Sequence, residues 1–279
     1  VRLWRDGVEV SSEAADITAL SAWKAPQVAM LDRDDTAWLF DPATAQRRKL
    51  GTAHTSVFYH LLAVASGEAW VPGDRSIVRL APGKSQRTWL RFREALTPVA
   101  LDPPHRAVWL EDKLLHVADL GQKKAWTMKL EDSCSLMPHP MLVPGRRMIA
   151  MREGRRLELI DLDRGTTAAI GIPQVGAIDV TPAGELLVAR EGELVLWRPD
   201  EATAHVWSTG IPAGAVPTAV RADDAGLEVA VGYSTGGVVW AELAHVRATA
   251  SSRPAPARDK SCVSTPKPTT FAALGLSVE

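Results

Sequence analysis

Side chains that commonly bind metals or act as general bases are sparse in this chain of 279 residues. Its seven histidines include no pair at a zinc-like spacing with each other or with a cysteine. The two cysteines, Cys134 and Cys262, are far apart in unlike contexts, which predicts reduced thiols in a cytoplasmic protein rather than a disulfide. The sequence has no Gly-x-Ser-x-Gly motif. We therefore predict no catalytic residue, no metal and no cofactor.

Acidic residues offer a second kind of chemistry, because glycoside hydrolysis needs two carboxyl groups that flank one bond. Asp102, Asp179 and Asp223 lie in or next to apolar stretches that we expect to be strands. The same three residues are equally well explained as turn or cap residues. A protein that binds or hydrolyses a small molecule or carbohydrate is therefore one alternative interpretation.

Basic residues are densest around one predicted hairpin, at positions 146, 147, 152, 155 and 156, all arginine. Apolar residues alternate with them, which is typical of a solvated strand edge protected against pairing. Nucleic-acid binding needs many phosphate contacts, and the whole chain has a net charge of −1. A nucleic-acid-associated module is kept as a second alternative and is not the favoured interpretation.

One strand motif recurs along the chain and must position these side chains. Each copy is an apolar stretch that ends on a bulky residue and runs into Asp, Pro or Gly, with an average separation of about 39 residues, as in four-stranded propeller blades. The seven copies end at Trp4, Phe40, Leu80, Val117, Ile160, Trp197 and Trp240.

The context of this motif also repeats. A charged or Gly-containing turn, such as Arg152-Glu153-Gly154, precedes each of the last six copies and follows another apolar strand, which predicts a hairpin of strands b and c. Three tryptophans recur in strand c and three in the strand that follows it, strand d, so we interpret them as packing residues. Trp23 is off this pattern and stays a candidate binding residue. The strand c tryptophans are Trp38, Trp197 and Trp240, and those of strand d are Trp89, Trp126 and Trp207.

Strand c and its ending resemble the WD-repeat family, as in Leu3-Trp4-Arg5-Asp6, Leu159-Ile160-Asp161 and Leu196-Trp197-Arg198. The resemblance covers roughly residues 1–250 and implies an all-β propeller, but no Gly-His dipeptide occurs, so the family's His-Asp network is not expected. The chain has no asparagine, which argues against a gluconolactonase-like metal site. We predict seven four-stranded blades, with six blades and loose tails as the alternative.

Ring closure sets the expected domain organisation. We predict one propeller domain over residues 1–279, with a Pro/Ser/Ala-rich linker at 251–259. Open strand edges invite aggregation. We therefore expect residues 260–279 to return to the N-terminal half-blade and form one hybrid blade beside six complete ones.

The function that this architecture favours is a non-catalytic scaffold that binds protein partners, for example within a bacterial signalling or defence assembly. Loops on a repeat scaffold are where binding residues usually lie. We therefore expect the site on the b–c turns and on the d–a loops, which join strand d of one blade to strand a, the first strand of the next blade. No apolar stretch approaches the roughly 20 residues of a membrane-spanning helix, and no membrane partner is predicted. The candidate partner-binding residues are Asp34, Asp35, Arg75, Glu111, Asp112, Arg152, Arg155, Glu191 and Trp23.

Overall fold

A computed structural model describes most of the chain, which divides into two compact units. The first unit comprises residues 1–127 and 268–279, and the second comprises residues 128–267. The described residues are 2–5, 8–12, 17–20, 28–32, 34, 36–41, 44, 46–52, 63–65, 68–72, 75–92, 97–102, 105–134, 139–211, 214–223 and 225–278.

The first unit is built from antiparallel sheets of consecutive strands. A two-stranded sheet of β1 (Arg2–Arg5) and β2 (Val8–Ser12) precedes three sheets of four strands each. These three are β3 (Ile17–Leu20), β4 (Val28–Asp32), β5 (Thr36–Asp41) and β6 (Gln46–Thr52); β7 (Ala63–Ala65), β8 (Glu68–Pro72), β9 (Ser76–Leu80) and β10 (Arg87–Arg91); and β11 (Thr97–Asp102), β12 (Arg106–Glu111), β13 (Leu114–Asp119) and β14 (Lys124–Lys129), whose last two residues belong to the second unit.

The second unit repeats this plan twice and then departs from it. Its last sheet has three strands, and a helix follows where a fourth strand was predicted. The elements are β15 (His139–Leu142), β16 (Met148–Glu153), β17 (Arg156–Asp161) and β18 (Thr166–Ile170); β19 (Ala177–Val180), β20 (Leu186–Arg190), β21 (Glu193–Trp197) and β22 (Thr203–Ser208); and β23 (Pro217–Ala222), β24 (Glu228–Tyr233), β25 (Val238–Glu242) and α1 (Leu243–Thr249).

Burial explains why these residues form strands in this order. The second and third strands of a sheet contain continuous apolar runs, because both of their faces are covered, as in β20 and β21. In the fourth strand β22, buried residues alternate with exposed or partly exposed ones. The core of the second unit lies between its sheets and includes Leu159, Val188 and Trp197.

The residues after α1 are ordered strands rather than a linker, which corrects the prediction for 251–259. In the second unit, β26 (Ser251–Pro254) pairs with β22, and β27 (Arg258–Asp259) pairs with β18. Further along, β28 (Lys267–Thr269) is next to β14 and β29 (Ser277–Val278) is next to β10. Each of these four short strands therefore becomes the fifth strand of a sheet.

This edge pairing also corrects the predicted hybrid blade. The described strands of 260–279 lie beside β14 and β10, while β1 and β2 pair with each other. Short strands suffice because each only has to satisfy the backbone hydrogen bonds of an edge strand that is already held in place. Residues 251–278 are called the C-terminal strap below.

A disulfide between Cys134 and Cys262 fastens the strap inside the second unit, contrary to the prediction of reduced thiols. The main chain brings the two residues together: Leu130 forms a β-bridge with Val263, and the Glu131 N–H donates to the Cys262 carbonyl oxygen over 2.8 Å. A disulfide is typical of oxidising compartments. The prediction of a cytoplasmic protein therefore no longer has the support of reduced thiols.

The predicted motif marks one strand in every sheet, although the number of four-stranded blades is smaller than predicted. Its seven end residues fall in β1, β5, β9, β13, β17, β21 and β25. Among the described residues, five sheets have four consecutive strands, rather than the seven expected, because the sheets of β1 and β25 contain two and three.

Candidate ligand-binding cavity

Three of the predicted binding residues converge on one cavity of about 310 Å³ in the second unit. Arg152 and Arg155 come from the β16–β17 hairpin, and Glu191 comes from the β20–β21 turn of the neighbouring sheet in the chain. We call this the arginine cavity. Its remaining lining residues are Gly154, Gln174, Val175, Gly176, Val216, Pro217 and Thr218.

The β16–β17 turn has two residues, and its glycine sets the geometry. Gly154 has a φ of 56°, a left-handed conformation that glycine adopts without strain. Arg152 donates from Nη1 to the Gly154 carbonyl oxygen over 3.0 Å, which holds its side chain across the turn. The turn therefore places two guanidinium groups on the same wall of the cavity.

The loop between β18 and β19 forms a second wall and is joined to this turn. Val175 donates its N–H to the Arg155 carbonyl oxygen over 3.0 Å, and Arg155 donates from Nη1 to Gln174 Oε1 over 2.7 Å. Gln174 itself has a φ of 59°, which is uncommon for a residue with a side chain. Strained positions of this kind cluster at functional sites, and here the strain accompanies the contact with Arg155.

Glycine is also required at position 176, where this loop meets the start of β23, which forms a third wall of the cavity. A Cβ atom on Gly176 would lie 2.4 Å from the Pro217 carbonyl oxygen and 2.6 Å from its Cγ atom. The Gly176 N–H donates to the Ala189 carbonyl oxygen over 2.9 Å, so the loop is fixed from two sides. Gly176 and Pro217 both line the cavity, so this close contact joins two of its walls.

Glu191 is an exposed residue that is held in place by the main chain. Its Oε1 atom accepts a hydrogen bond from the N–H of Gly214, in the loop that precedes β23. The same loop is tied to β24 and β25, since Ser234 donates its N–H to the Val216 carbonyl oxygen over 2.8 Å. The cavity thus has fixed walls from three consecutive sheets of the unit.

The charge of the cavity is positive because its arginines bond to uncharged oxygens. At the other end of β16, by contrast, Arg146 is 2.9 Å from Asp200 and Arg147 is 2.6 Å from Asp163. Within the described part of the chain, neither Arg152 nor Arg155 forms such an ion pair. Two guanidinium groups and one carboxylate, that of Glu191, leave a surplus of one positive charge.

The other described candidates belong to the first unit and have local roles. The Asp34 N–H donates to Asp32 Oδ1 over 3.0 Å, and Asp112 occupies the turn before β13 with a φ of 51°. Glu111 lies 3.3 Å from the buried His116, whose pKa is lowered by burial although Glu111 acts in the opposite direction. Asp35 and Trp23 lie outside the described residues.

Arg75 is the counterpart of Arg155 in its own hairpin. Both arginines are exposed and immediately precede the third strand of a sheet. The Arg75 carbonyl oxygen accepts the Phe92 N–H over 2.8 Å, as that of Arg155 accepts the Val175 N–H. Arg75 therefore provides a matched control position for experiments on the cavity.

Two of the three aspartates considered for hydrolysis support the main chain instead. Asp179 accepts the Ala222 N–H over 2.8 Å and lies 3.5 Å from Arg221; burial raises its pKa despite that arginine. Asp223 Oδ1 accepts the N–H groups of Leu227 and Glu228. Asp102 ends β11. Asp179 and Asp223 thus stabilise connections between and within sheets.

Glu158 is a buried carboxyl group beneath the strap. In the described residues no donor reaches either of its oxygens with ordinary hydrogen-bond geometry. Burial raises its pKa, and the neighbouring Ser261, Arg156 and Cys262 backbone offset this only in part. It lies apart from the residues that line the arginine cavity.

The sequence missed Gln174, Gly176 and Thr218, and it misassigned one tryptophan. The expectation that b–c turns and d–a loops share a face did indicate the loop between β18 and β19. The residue types of that loop do not show that it contacts the turn of Arg155. Trp240 was predicted to pack, but its exposed fraction is 59%.

The described residues contain neither a candidate metal centre nor a candidate membrane-spanning helix. No group of three or more His, Cys, Asp or Glu side chains among them is arranged to hold a metal ion. No helix in the same residues has the length and apolar character needed to cross a membrane.

Comparison with known proteins identifies the fold without assigning a family. No protein-family model and no curated relative matches the chain. The virginiamycin B lyase from Staphylococcus aureus is 12% identical, with 84% of this chain and 86% of that chain covered and a TM-score of 0.56. A streptogramin B lyase is 10% identical, with 81% and 82% covered and a TM-score of 0.54. The WD40 β-propeller domain of Doa1 is 14% identical, with 83% and 94% covered and a TM-score of 0.48.

These likenesses concern the fold alone, because all the identities are very low. The chain has an all-β propeller fold, as its repeated four-stranded sheets and the two lyase comparisons show. The predicted fold class is confirmed at this level. Membership of the WD-repeat family stays a prediction.

Proposed function

We propose that this chain is a non-catalytic binding platform and that a partner protein docks at the arginine cavity. The observation that carries this proposal is the convergence of Arg152, Arg155 and Glu191 on one cavity. Arg152 and Arg155 lie at the b–c turn of one repeat, and Glu191 lies at that of the next. A platform is expected to gather such residues from several repeats on one face.

The rigidity of the walls supports the same proposal. Hydrogen bonds from Val175, Gly176 and Gly214 hold the loops, so a partner would meet side chains that are already positioned. Pre-organised sites lose less conformational entropy on binding. Described candidates for acid catalysis, such as Asp179, are instead engaged in main-chain contacts.

A variant comparison tests the proposal. The tagged chain, its R152E/R155E variant and the control variant R75E are incubated with lysate of the producing organism, and captured proteins are quantified by mass spectrometry. We expect one stoichiometric partner with the original chain and R75E, and a loss of about tenfold or more with R152E/R155E, as for charged contacts at a binding centre. Circular dichroism checks that each variant is folded.

Two results would contradict the proposal. Equal capture by all three proteins would show that the arginine cavity is not the docking site. Absence of any stoichiometric partner would remove the platform interpretation itself.

A further inference from the structure

The arginine cavity has the chemistry to recognise one particular class of ligand. We infer that it binds a single carboxylate next to an apolar side chain, as in a Glu-Leu segment of a partner protein. This inference rests on the proposed function and specifies the ligand of the same site.

Two guanidinium groups supply the hydrogen-bond donors of the cavity. A guanidinium group carries five N–H donors in a plane that matches a carboxylate. The structure assigns one Nη1 bond to Arg152, with the Gly154 carbonyl oxygen, and one to Arg155, with Gln174 Oε1. Both acceptors are uncharged, so neither hydrogen bond offsets a guanidinium charge, and each group has further N–H donors for an anion.

Glu191 limits how much negative charge the cavity accepts. Its carboxylate is fixed at the cavity wall by the Gly214 N–H and opposes one of the two guanidinium charges. A monoanion neutralises the remaining charge, whereas a phosphate group near neutral pH brings about two charges and leaves an excess. This charge balance therefore favours a carboxylate over a phosphate monoester such as phosphoserine.

The apolar part of the lining defines the neighbour of that carboxylate. Val175, Val216 and Pro217 line the cavity together with the polar residues, and 42% of Val216 is exposed. Apolar surface at the opening is stabilised when a ligand covers it. A volume of about 310 Å³ accommodates an acidic side chain and part of an adjacent aliphatic one.

Blocked peptides provide the test. Acetyl-Ala-Glu-Leu-Ala-amide is titrated into the full chain and compared with the peptides that carry Gln or phosphoserine in place of Glu. Binding is followed by NMR of the arginine side-chain N–H groups, at peptide concentrations up to about 1 mM, where weak complexes are still populated. We expect the Glu peptide to bind about tenfold more tightly than either of the others.

Three variants sharpen the result. R152Q/R155Q should lose binding of the Glu peptide, and the control R75Q should retain it. Glu191→Gln should improve binding of the phosphoserine peptide by about tenfold, since the opposing charge is removed. Equal affinity for the Glu and Gln peptides, tighter binding of phosphoserine by the original chain, or no binding at all would overturn the inference.

The two proposals fail in different ways. If the captured partner needs Arg152 and Arg155 but is not displaced by the Glu peptide, the platform stands and the carboxylate inference is wrong. If capture is unchanged in R152E/R155E, the docking site itself is wrong, whatever the peptides do.

Discussion

Gly176 lies so close to Pro217 that a Cβ atom at position 176 would be 2.4 Å from the Pro217 carbonyl oxygen. No real Cβ atom approaches a backbone oxygen to this distance, and neither partner is a flexible side chain that could move away. The contact joins the loop before β19 to the start of β23. It therefore links two walls of the arginine cavity through the main chain.

Substitution of Gly176 should damage the cavity and the fold together. Gly176→Ala forces the loop away from Pro217, and we expect a loss of about 1–3 kcal/mol in the free energy of unfolding, as for other overpacked sites. Urea denaturation measures the loss. Gly237→Ala is the control, because the nearest atom to its added Cβ is a Thr235 hydroxyl at 3.8 Å. Equal stability of the two variants would show that the loop can move freely.

Loss of the disulfide should destabilise the second unit. Cys134 and Cys262 are 128 residues apart, and a cross-link over such a distance restricts the unfolded chain strongly. We expect C134S/C262S to lose about 2–5 kcal/mol in the free energy of unfolding. Reduction of the original chain should give the same loss, while reductant should leave the double variant unchanged. A response of the double variant to reductant would contradict this explanation.

Shortening of the strap should expose particular strands. Removal of residues 277–279 takes away β29 but keeps Leu276 in its core cluster, and it should increase amide hydrogen exchange in β10 alone. Removal of residues 251–279 should increase exchange in β14, β18 and β22 as well, because their outer hydrogen-bonding groups lose their partners. Hydrogen exchange with mass spectrometry measures both. An increase confined to β1 and β2 would instead support the hybrid blade.

The burial of Glu158 should make stability depend on pH. Because its pKa is raised, the folded chain holds this proton more tightly than the unfolded chain does. This contribution is fully present below the ordinary glutamate pKa of about 4.3 and is lost as pH rises toward the raised value. Glu158→Gln should therefore raise Tm at pH 7 and change it little at pH 4. Glu242→Gln, at an exposed position, is the control. An equal change in Tm at both pH values would contradict the explanation that ionisation of the buried Glu158 lowers stability.

The strands could be predicted from the sequence because their signal is local. The end residues Ile160 and Trp197 recur at blade spacing, and each lies at or next to the end of a third strand. The turn residues Arg152 and Arg155 were identified for the same reason, since a hairpin places its own turn. What a single sequence does not show is that this turn contacts Gln174.

The strap and its disulfide could not be predicted because their partners are distant in sequence. Strand β26 consists of Ser251, Ser252, Arg253 and Pro254, all exposed and typical of a linker. It becomes a strand only because β22 offers an unpaired edge. Likewise, two cysteines give no pairing pattern until the bridge between Leu130 and Val263 brings their segments together.

The strap has a consequence for biosynthesis. Its residues leave the ribosome after all the strands that they cover, so β10, β14, β18 and β22 first fold as open edges. Open edges pair readily with other chains. A product whose synthesis stops before residue 251 therefore exposes all four strand edges, and one that stops just after β27 still exposes those of β10 and β14. Both should self-associate more readily than the chain that carries the whole strap.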